Sequence, residues 1–298
     1  MNEQLRVGLV GAGPWAQQVH APGIADHPGT RLVSVWARRR DAAAEITDRF
    51  GGDIVADPDE LLSTVDAVAF AVPPAVQAEL ATKAAKAGKH LILEKPIAST
   101  VDDAERLVDA VTEAKVASLV MLTRRFAPET RELLAEVDRL GGWAGGNATW
   151  LTGALLGGQY AGSQWRHDQG ALDDIGPHAF DLLDAALGEI TEVLAAHRSE
   201  PDLWHLMLAH RGGATSTATL TLRLPIRPTV TEYSLYGEHG RRTLAGWAST
   251  TQDCYTTLLD EFVALVQSGT TEHPCDVRRG LHLQRILAAA RAKAEGVA

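Results

Sequence analysis

Two stretches of the sequence carry ionisable side chains that could move protons in a reaction. Lys95 follows directly after an apolar run of strand length, residues 90–94. Asp174, His178 and Asp181 are four and three residues apart, so on one helix they would share a stripe. Ammonium and imidazole groups can donate, accept or relay a proton. We therefore predict an acid–base site that draws on both stretches.

The stripe that contains Asp174, His178 and Asp181 has a second interpretation, as the solvated polar face of an amphipathic helix. A solvated face normally carries lysine, arginine or glutamate, and this stripe contains none of them. Its composition therefore favours a site. The residues that would cover the opposite, apolar side of the helix are Leu172, Ile175, Ala179, Leu182, Leu183 and Ala186.

A glycine-rich turn follows the first apolar run, in the sequence Gly11-Ala12-Gly13-Pro14-Trp15-Ala16. Between a strand and a helix, this spacing is the fingerprint of dinucleotide binding. The first glycine makes the turn, and the second lets a pyrophosphate approach the backbone and the amides of the helix start. A tight turn without a ligand is the alternative, but the alternation of strands and helices around it favours binding. We predict that a nicotinamide dinucleotide contacts Gly11, Gly13, Pro14 and Trp15.

The end of the second predicted strand bears on the choice of dinucleotide. An NAD-binding protein usually has an acidic residue there for the ribose hydroxyls. This chain has Ala37 followed by Arg38, Arg39 and Arg40. A guanidinium group at Arg38 or Arg39 could hold a 2′-phosphate, although basic loops are also common solvated patches. We predict NADP as the preferred cofactor, with NAD as the alternative.

Hydrophobic periodicity indicates the elements that would position these residues. From residue 1 to residue 123, apolar runs of strand length alternate with helical stretches, which is the pattern of βαβ units. We predict an α/β fold whose N-terminal domain, residues 1–123, is a Rossmann doubly wound parallel sheet. Ser99 is the candidate N-cap of one of its helices. The predicted strands are 5–10, 31–37, 66–72, 90–94 and 116–122, and the predicted helices include 75–88 and 100–114.

The pattern changes after residue 123. A helix at 128–140, a strand, a glycine-rich loop and a helix at 172–187 precede several strands in direct succession. Such segregation predicts an α+β domain, residues 124–298, with an open, mostly antiparallel sheet. Residues 215–224 alternate threonine with alanine or leucine, so one face of this sheet is apolar and the other polar. Two helices, 257–268 and 277–295, end the chain.

Composition narrows the classes of partner. The chain of 298 residues has a net charge of -10, which disfavours nucleic acids and anionic membrane surfaces because both repel an acidic protein. Cys254 and Cys275 are the only cysteines, so neither a disulfide framework nor a zinc knuckle is predicted. The N-terminal residues lack the pattern of a signal peptide. We expect a cytoplasmic protein that acts on a small molecule.

Several motifs follow one another in a characteristic order along the chain. The most specific are Glu94-Lys95-Pro96 and Asp174-Ile-Gly-Pro-His178. The others are Gly11-Ala-Gly13, Val72-Pro73-Pro74, Arg125-Phe126-Ala-Pro128, Trp165-Arg166 and Asp276-Val-Arg-Arg-Gly280. In this order and spacing they resemble the glucose-fructose oxidoreductase and inositol dehydrogenase (Gfo/Idh/MocA) family of two-domain sugar dehydrogenases, over nearly the whole chain.

The resemblance implies an NAD(P) domain followed by a domain whose open sheet pairs with another subunit, in a homo-dimer or homo-tetramer. It implies Lys95 and His178 as the catalytic groups that handle protons, with Asp174 beside them binding the substrate or tuning its neighbours. The expected substrate is polyhydroxylated. Besides the glycine turn and the two arginines, the implied cofactor contacts are Val72, Pro73, Pro74, Glu94, Lys95, Trp165 and Arg166.

Three departures from the family pattern are present. Gln77 stands where the family usually has histidine, Gln169-Gly170 replaces a longer glycine triplet, and Asp173 replaces a commonly apolar residue. We therefore expect differences in cofactor packing and in the loop before residue 172, and the resemblance does not identify the substrate.

The sequence thus predicts an NAD(P)-dependent oxidoreductase that transfers a hydride to or from the CH–OH or carbonyl carbon of a sugar, polyol or related compound. Two alternatives stay open. His167, Asp174 and His178 could ligate a metal ion, but hydrated-metal chemistry is not needed beside Lys95, so we predict no metal. A non-catalytic, dinucleotide-dependent sensor of the same fold would need the cofactor pocket but no acid–base pair, so the joint presence of these groups favours an enzyme.

Overall fold

Six strands in the first part of the chain pair in parallel. In the computed structural model, which describes residues 4–158 and 160–296, they are β1 (Leu5–Val10), β2 (Thr30–Trp36), β3 (Asp53–Ile54), β4 (Ala67–Phe70), β5 (His90–Leu93) and β6 (Ser118–Val120). Their order across the sheet is β3-β2-β1-β4-β5-β6. Strand order reverses between β1 and β4, which is where doubly wound sheets bind dinucleotides at their carboxyl edge. The prediction of a Rossmann sheet is confirmed.

Short helical elements connect these strands. They are a π-helical turn (Ala16–His20), α1 (Ala21–Asp26), α2 (Arg40–Phe50), α3 (Pro58–Thr64), α4 (Pro74–Lys86) and α5 (Val101–Ala114). The hydroxyl of Thr100 accepts the Asp103 amide hydrogen at the start of α5. The sequence prediction of Ser99 as this cap is wrong by one residue, because Thr100 is the residue whose extended backbone turns its side chain back towards the helix. After α4 the chain reverses at Gly88, whose φ of +74° favours glycine.

A second six-stranded sheet forms from the later strands. They are β7 (Trp143–Leu151), β8 (Ile190–Ser199), β9 (Leu203–His210), β10 (Thr215–Thr221), β11 (Val230–Gly237) and β12 (Gly240–Ala245). Their order is β12-β11-β7-β10-β9-β8, and only β7 and β10 pair in parallel, so the sheet is mostly antiparallel as predicted. Along β10, Thr215 and Thr217 are exposed whereas Ser216 and Ala218 are buried. One face of the sheet therefore contributes to the core and the other is largely polar and open.

Three helices accompany this sheet, namely α6 (Pro128–Leu140), α7 (Gln164–Asp174) and α8 (Gly176–Leu187). The sequence prediction of one continuous helix over residues 172–187 is wrong, because α7 and α8 are separated at Ile175, whose φ is -110°. Pro177 lies in the first turn of α8 and has no backbone N–H to continue the hydrogen-bond ladder of α7. Asp174 therefore ends one helix, and His178 lies in the first turn of the next.

Two further helices are α9 (Thr251–Ser268) and α10 (Val277–Ala294). α9 begins earlier than the predicted residue 257 because Thr250 and Asp253 cap it reciprocally. The chain divides into two compact units, Met1–Phe126 with Thr250–Leu281 and Ala127–Ser249 with His282–Ala298. Residues 250–281 thus group with the first sheet, whereas the sequence places everything after residue 123 in the second domain. None of the helices in the described ranges combines the length and apolarity needed to cross a membrane.

Candidate active site

The dinucleotide turn lies at the carboxyl end of β1. Gly11 has a φ of +112°, and a Cβ added there would lie 2.3 Å from the carbonyl oxygen of Ala71, so the turn requires glycine. The Gly11 amide donates to the carbonyl oxygen of Trp36 at 2.8 Å, which ties the turn to β2. A Cβ added at Gly13 would meet no atom within 4 Å. The backbone at Gly13 is therefore open, as the close approach of a pyrophosphate requires, and the turn fits a dinucleotide.

Exposed basic side chains follow β2 beside a small residue. Ala37 is half-buried, and Arg38 and Arg39 are exposed. The Arg39 guanidinium lies 4.0 Å from the Asp41 carboxylate. Among the described residues Arg38 has no ion-pair partner. The Arg38 guanidinium can therefore bind an anion such as the 2′-phosphate of NADP, as the prediction of NADP binding requires.

The segments after β4 and β5 end at the same edge of the sheet as the dinucleotide turn. Val72 and Pro73 follow β4, and Pro74 is the first residue of α4, where its fixed φ suits a helix start. Glu94 and Lys95 follow β5 and are partly exposed. Because the carboxyl ends of parallel strands share one edge, the fold gathers these sequence-predicted residues around the turn.

A buried hydrogen-bonded network links the dinucleotide turn to Glu94. The indole N–H of Trp15 donates to Glu94 Oε1 at 2.6 Å, and His20 Nε2 lies 2.8 Å from the same oxygen. His20 Nδ1 lies 2.9 Å from the hydroxyl of Tyr255, and both of these residues are fully buried. Burial, and then the charge of Glu94, raise the pKa of Tyr255 well above its usual range, so its hydroxyl keeps its proton and can donate it to Nδ1. The sequence predicts Trp15 and Glu94 but not their two buried partners.

In the second unit, Arg166 brings together residues that the sequence predicts for the site. Its Nε donates to the Asp174 carboxylate at 3.1 Å. The guanidinium also lies over the ring of Tyr160, 4.4 Å from the centroid, and over that of Trp165, at 5.5 Å. The side chains of Arg166 and Asp174 are 21% and 14% exposed, so their ion pair is largely shielded from water. Trp165, Arg166 and Asp174 therefore form one cluster.

His178 is buried in the first turn of α8 and packs against aromatic rings. Its ring centroid lies 5.7 Å from that of Trp150, which lies 6.3 Å from that of Trp247. The ring centroids of Trp247 and Tyr233 lie 6.0 Å apart. Both tryptophans are half-buried, so part of the indole surface beside His178 is accessible. The sequence gives no local signal for this cluster, because residues 150 and 247 meet only through the pairing of β7 with β11 and of β11 with β12, after which Trp247 follows.

His167, the third candidate metal ligand, uses both ring nitrogens in contacts with the protein. Arg223 donates to Nδ1 at 3.0 Å, and Nε2 lies 2.7 Å from the carbonyl oxygen of Ala161. Across residues 4–158 and 160–296, no three histidine, cysteine, aspartate or glutamate side chains are grouped so that they could hold a metal ion. His167 thus connects the loop before α7 to Arg223.

Asp173, one of the departures from the family pattern, is buried beside Asp174. Burial raises the pKa of its carboxyl to about 6, although the ion pair with Arg291 acts in the opposite direction. The charges of Asp174 and Asp202 raise it further. Asp173 therefore titrates at a higher pH than an ordinary aspartate.

Two protein-family models match the chain. The model described as an oxidoreductase family with an NAD-binding Rossmann fold matches residues 5–122. The model described as the GFO/IDH/MocA C-terminal domain matches residues 139–243. The first matched segment contains the whole first sheet, and the second contains the second sheet as far as residue 243, within β12.

Named proteins of similar sequence align with part of the chain. A Salmonella typhimurium protein named as an oxidoreductase is 33% identical over 192 residues, which are 64% of this chain and 55% of that protein. The dTDP-3,4-didehydro-2,6-dideoxy-alpha-D-glucose 3-reductase of Actinomadura kijaniata is 27% identical over 248 residues, 80% of this chain and 73% of that enzyme. The chain thus spans little more than half of the first of these relatives.

Solved structures share the complete fold. A 3-ketoreductase from Actinomadura kijaniata in complex with NADP and TDP-benzene gives a TM-score of 0.81 at 22% identity, over 98% of this chain and 98% of that chain. A protein from gentamicin A biosynthesis in complex with NAD gives a TM-score of 0.84 at 21% identity, over 99% of this chain and 95% of that chain. At these identities the likeness establishes the fold.

Proposed function

Because the chain belongs to the GFO/IDH/MocA oxidoreductase family, with its NAD-binding Rossmann domain, we propose that it transfers a hydride between a nicotinamide dinucleotide and the CH–OH or carbonyl carbon of a sugar, a polyol or a related compound. One observation carries this proposal, the 2.6 Å hydrogen bond from Trp15 to Glu94. It joins the dinucleotide turn to the residue that precedes Lys95. An ammonium group thus follows directly on the sheet edge at which such folds bind their cofactor.

The first unit supplies the groups that would hold the cofactor. Backbone amides of the turn after Gly11, other than at Pro14, would face the pyrophosphate, and Arg38 and Arg39 would face the ribose. The segments after β4 and β5 line the same edge. When bound, the nicotinamide accepts or supplies the hydride.

Lys95 is proposed to supply the proton. Its ammonium group donates to the oxygen of a carbonyl substrate as negative charge develops there, and it favours the alkoxide in the opposite direction. His178 is proposed to relay that proton or to fix the substrate, and packing against Trp150 restricts the orientation of its ring. Asp174, held by Arg166, can accept a hydrogen bond from a substrate hydroxyl.

Two observations support a ring-shaped sugar or polyol as the substrate. The Actinomadura kijaniata relative is named as a reductase of a deoxy-keto-glucose. Trp150 and Trp247 offer flat, partly accessible indole surface, on which the C–H face of such a ring can pack. We place the reaction in the cytoplasm, in keeping with a chain that has only two cysteines.

The test is a screen of the purified protein with both oxidised and both reduced cofactors, followed by nicotinamide absorbance. The substrates are keto-sugars, aldoses, inositols and open-chain polyols. We expect turnover of at least one ring compound. Tight cofactor binding without turnover of any of them would contradict the proposal and favour a dinucleotide-dependent sensor.

We further propose that the protein is a homo-oligomer that assembles through the open face of the second sheet. Thr217 on this face lies between Met207 of β9 and Asn147 of β7. Met207 is 42% exposed, which is high for a methionine in the middle of a sheet. A mixed polar and apolar face of this kind suits contact with a second copy.

A further inference from the structure

Gln77 is a fully buried polar residue of α4 whose carboxamide contacts the end of β5. Its Nε2 donates to the carbonyl oxygen of Glu94 at 2.7 Å, and its Oε1 accepts the Glu94 amide hydrogen at 2.8 Å. The side chain therefore pairs with Glu94 much as a peptide group of a neighbouring strand would.

The same nitrogen also reaches the backbone beyond Lys95. Nε2 lies 3.3 Å from the carbonyl oxygen of Pro96 and 3.2 Å from that of Ile97. An amide nitrogen carries two hydrogens, which these three carbonyl oxygens share. One buried side chain thus holds the backbone on both sides of Lys95.

The side chain of Glu94 is held separately. Trp15 and His20 both contact its Oε1, whereas Gln77 contacts backbone atoms only. Since Gln77 has no exposed surface, it can touch neither the cofactor nor the substrate. Any effect of Gln77 on the reaction must therefore act through the backbone segment 94–97, which carries Lys95.

We propose that Gln77 is a positioning residue that orients Lys95 by fixing the backbone of residues 94–97. This inference rests on the proposed catalytic role of Lys95. An ammonium group stabilises charge on a reacting oxygen only when it is held in place, and a displacement of about 1 Å can lower a rate by about 10²-fold. A histidine at this position could not reproduce the contacts, because its two ring nitrogens point away from each other and cannot engage the N–H and C=O of one residue.

Gln77→Met tests the proposal, since methionine has a similar length but makes none of these hydrogen bonds. We expect kcat to fall by about 10²-fold, while the KM for substrate and the dissociation constant of NADPH, measured by fluorescence titration, change little. Gln77→Glu places an acceptor oxygen opposite the carbonyl groups. Its activity relative to the wild type should recover as the pH falls, because a protonated carboxyl can donate again.

Leu107→Ala is the matched control, because Leu107 is fully buried in α5 and lies outside the segment 94–97. It should lower thermal stability through a cavity but keep kcat. Wild-type kcat in folded Gln77→Met would overturn the inference, and so would an equal loss of kcat in Leu107→Ala at matched stability.

If the wild type turns over no substrate, the proposed function fails, and amide hydrogen exchange then tests whether Gln77 fixes this backbone. The segment at 93–97 should exchange faster in Gln77→Met than in Leu107→Ala, and equal exchange would overturn the inference.

Discussion

The Trp15 indole and the Glu94 carboxylate are joined by a hydrogen bond of 2.6 Å, so a side chain of the dinucleotide turn holds the residue before Lys95. His20 contacts the same carboxylate oxygen from the helical turn that follows. The turn and the residue that precedes the proposed acid are therefore parts of one hydrogen-bonded network. Binding and chemistry can still be separated by substitution, because the cofactor would bind the turn whereas the reacting oxygen would meet the Lys95 ammonium group.

Lys95→Ala should abolish turnover and leave cofactor binding largely intact. Most of the binding surface belongs to the glycine turn and the residues after β2, whereas the ammonium group meets the reacting oxygen. Loss of such an acid typically lowers the rate by about 10²- to 10⁴-fold. Steady-state kinetics beside NADPH titration measure the two effects. Lys86→Ala, at an exposed lysine near the end of α4, is the control and should behave as the wild type. Full activity of Lys95→Ala would refute the catalytic assignment.

The protein should bind NADP(H) more tightly than NAD(H), and the double variant Ala37→Asp, Arg38→Gln should reverse this preference. A charge-assisted hydrogen bond to the 2′-phosphate contributes about 1.5 to 3 kcal/mol, which is about ten- to a hundredfold in affinity. Calorimetric titration with both reduced cofactors measures the ratio. Arg40→Gln, at the exposed start of α2, should leave it unchanged. A wild-type preference for NADH would show the prediction to be wrong.

Asp173 should make the folded state less stable as the pH rises from about 4 to about 6. Its pKa in the folded protein is raised to about 6 from 3.8, so between these values the folded state holds more protons than the unfolded state. The contribution of Asp173 to stability is therefore greatest below this window and declines through it. The full effect corresponds to about 3 kcal/mol.

Asp173→Asn should remove this part of the pH dependence. Its free energy of unfolding, relative to that of the wild type, is expected to increase between pH values of about 4 and 7. Urea denaturation at several pH values measures the difference. Asp102→Asn, at an exposed position of α5, is the control. Parallel pH profiles of Asp173→Asn and the wild type would count against the assignment.

Met207→Lys should dissociate the proposed oligomer. The new ammonium group would stand beside Thr217 in the middle of the open sheet face, where burial against a second copy would leave it desolvated and without a partner. Light scattering at micromolar concentration should detect a smaller species than the wild type. Thr112→Lys adds the same charge at an exposed position of α5 and should not change the assembly. A monomeric wild type would disprove the proposal.

Local patterns suffice for much of the fold, since the apolar run that forms β4 is buried along its whole length, as expected of a parallel sheet. β3 escapes prediction because its two residues carry no periodicity. The kink of α7 at Gly170, just before the predicted helix at 172–187, depends on a distant residue. Gly170 adopts a φ of +71° where a Cβ would lie 2.5 Å from the Asp202 carboxylate, which accepts the Ala171 amide hydrogen.

Candidate site residues next to strand ends can be predicted, because parallel strands present their carboxyl ends at one edge. Gly11 and Lys95 are of this kind. Residues that act through buried contacts are harder to find. Gln77 is visible in the sequence as a departure from the family, but its contacts with the backbone around Lys95 are not. Trp150 and Trp247 carry no sequence signal at all, since they meet only in the folded sheet.

The place of α9 in the first unit sets the order in which this protein can mature during synthesis. Gly23 leaves the space that the ring of Tyr255 fills, since a Cβ there would lie 2.3 Å from the ring. The same tyrosine completes the contacts of His20. Because Tyr255 is translated only after residue 250, these contacts of Gly23 and His20 cannot form until most of the chain has been made. We therefore expect the nucleotide-binding unit to complete its core, and to capture the cofactor, only after α9 has been made.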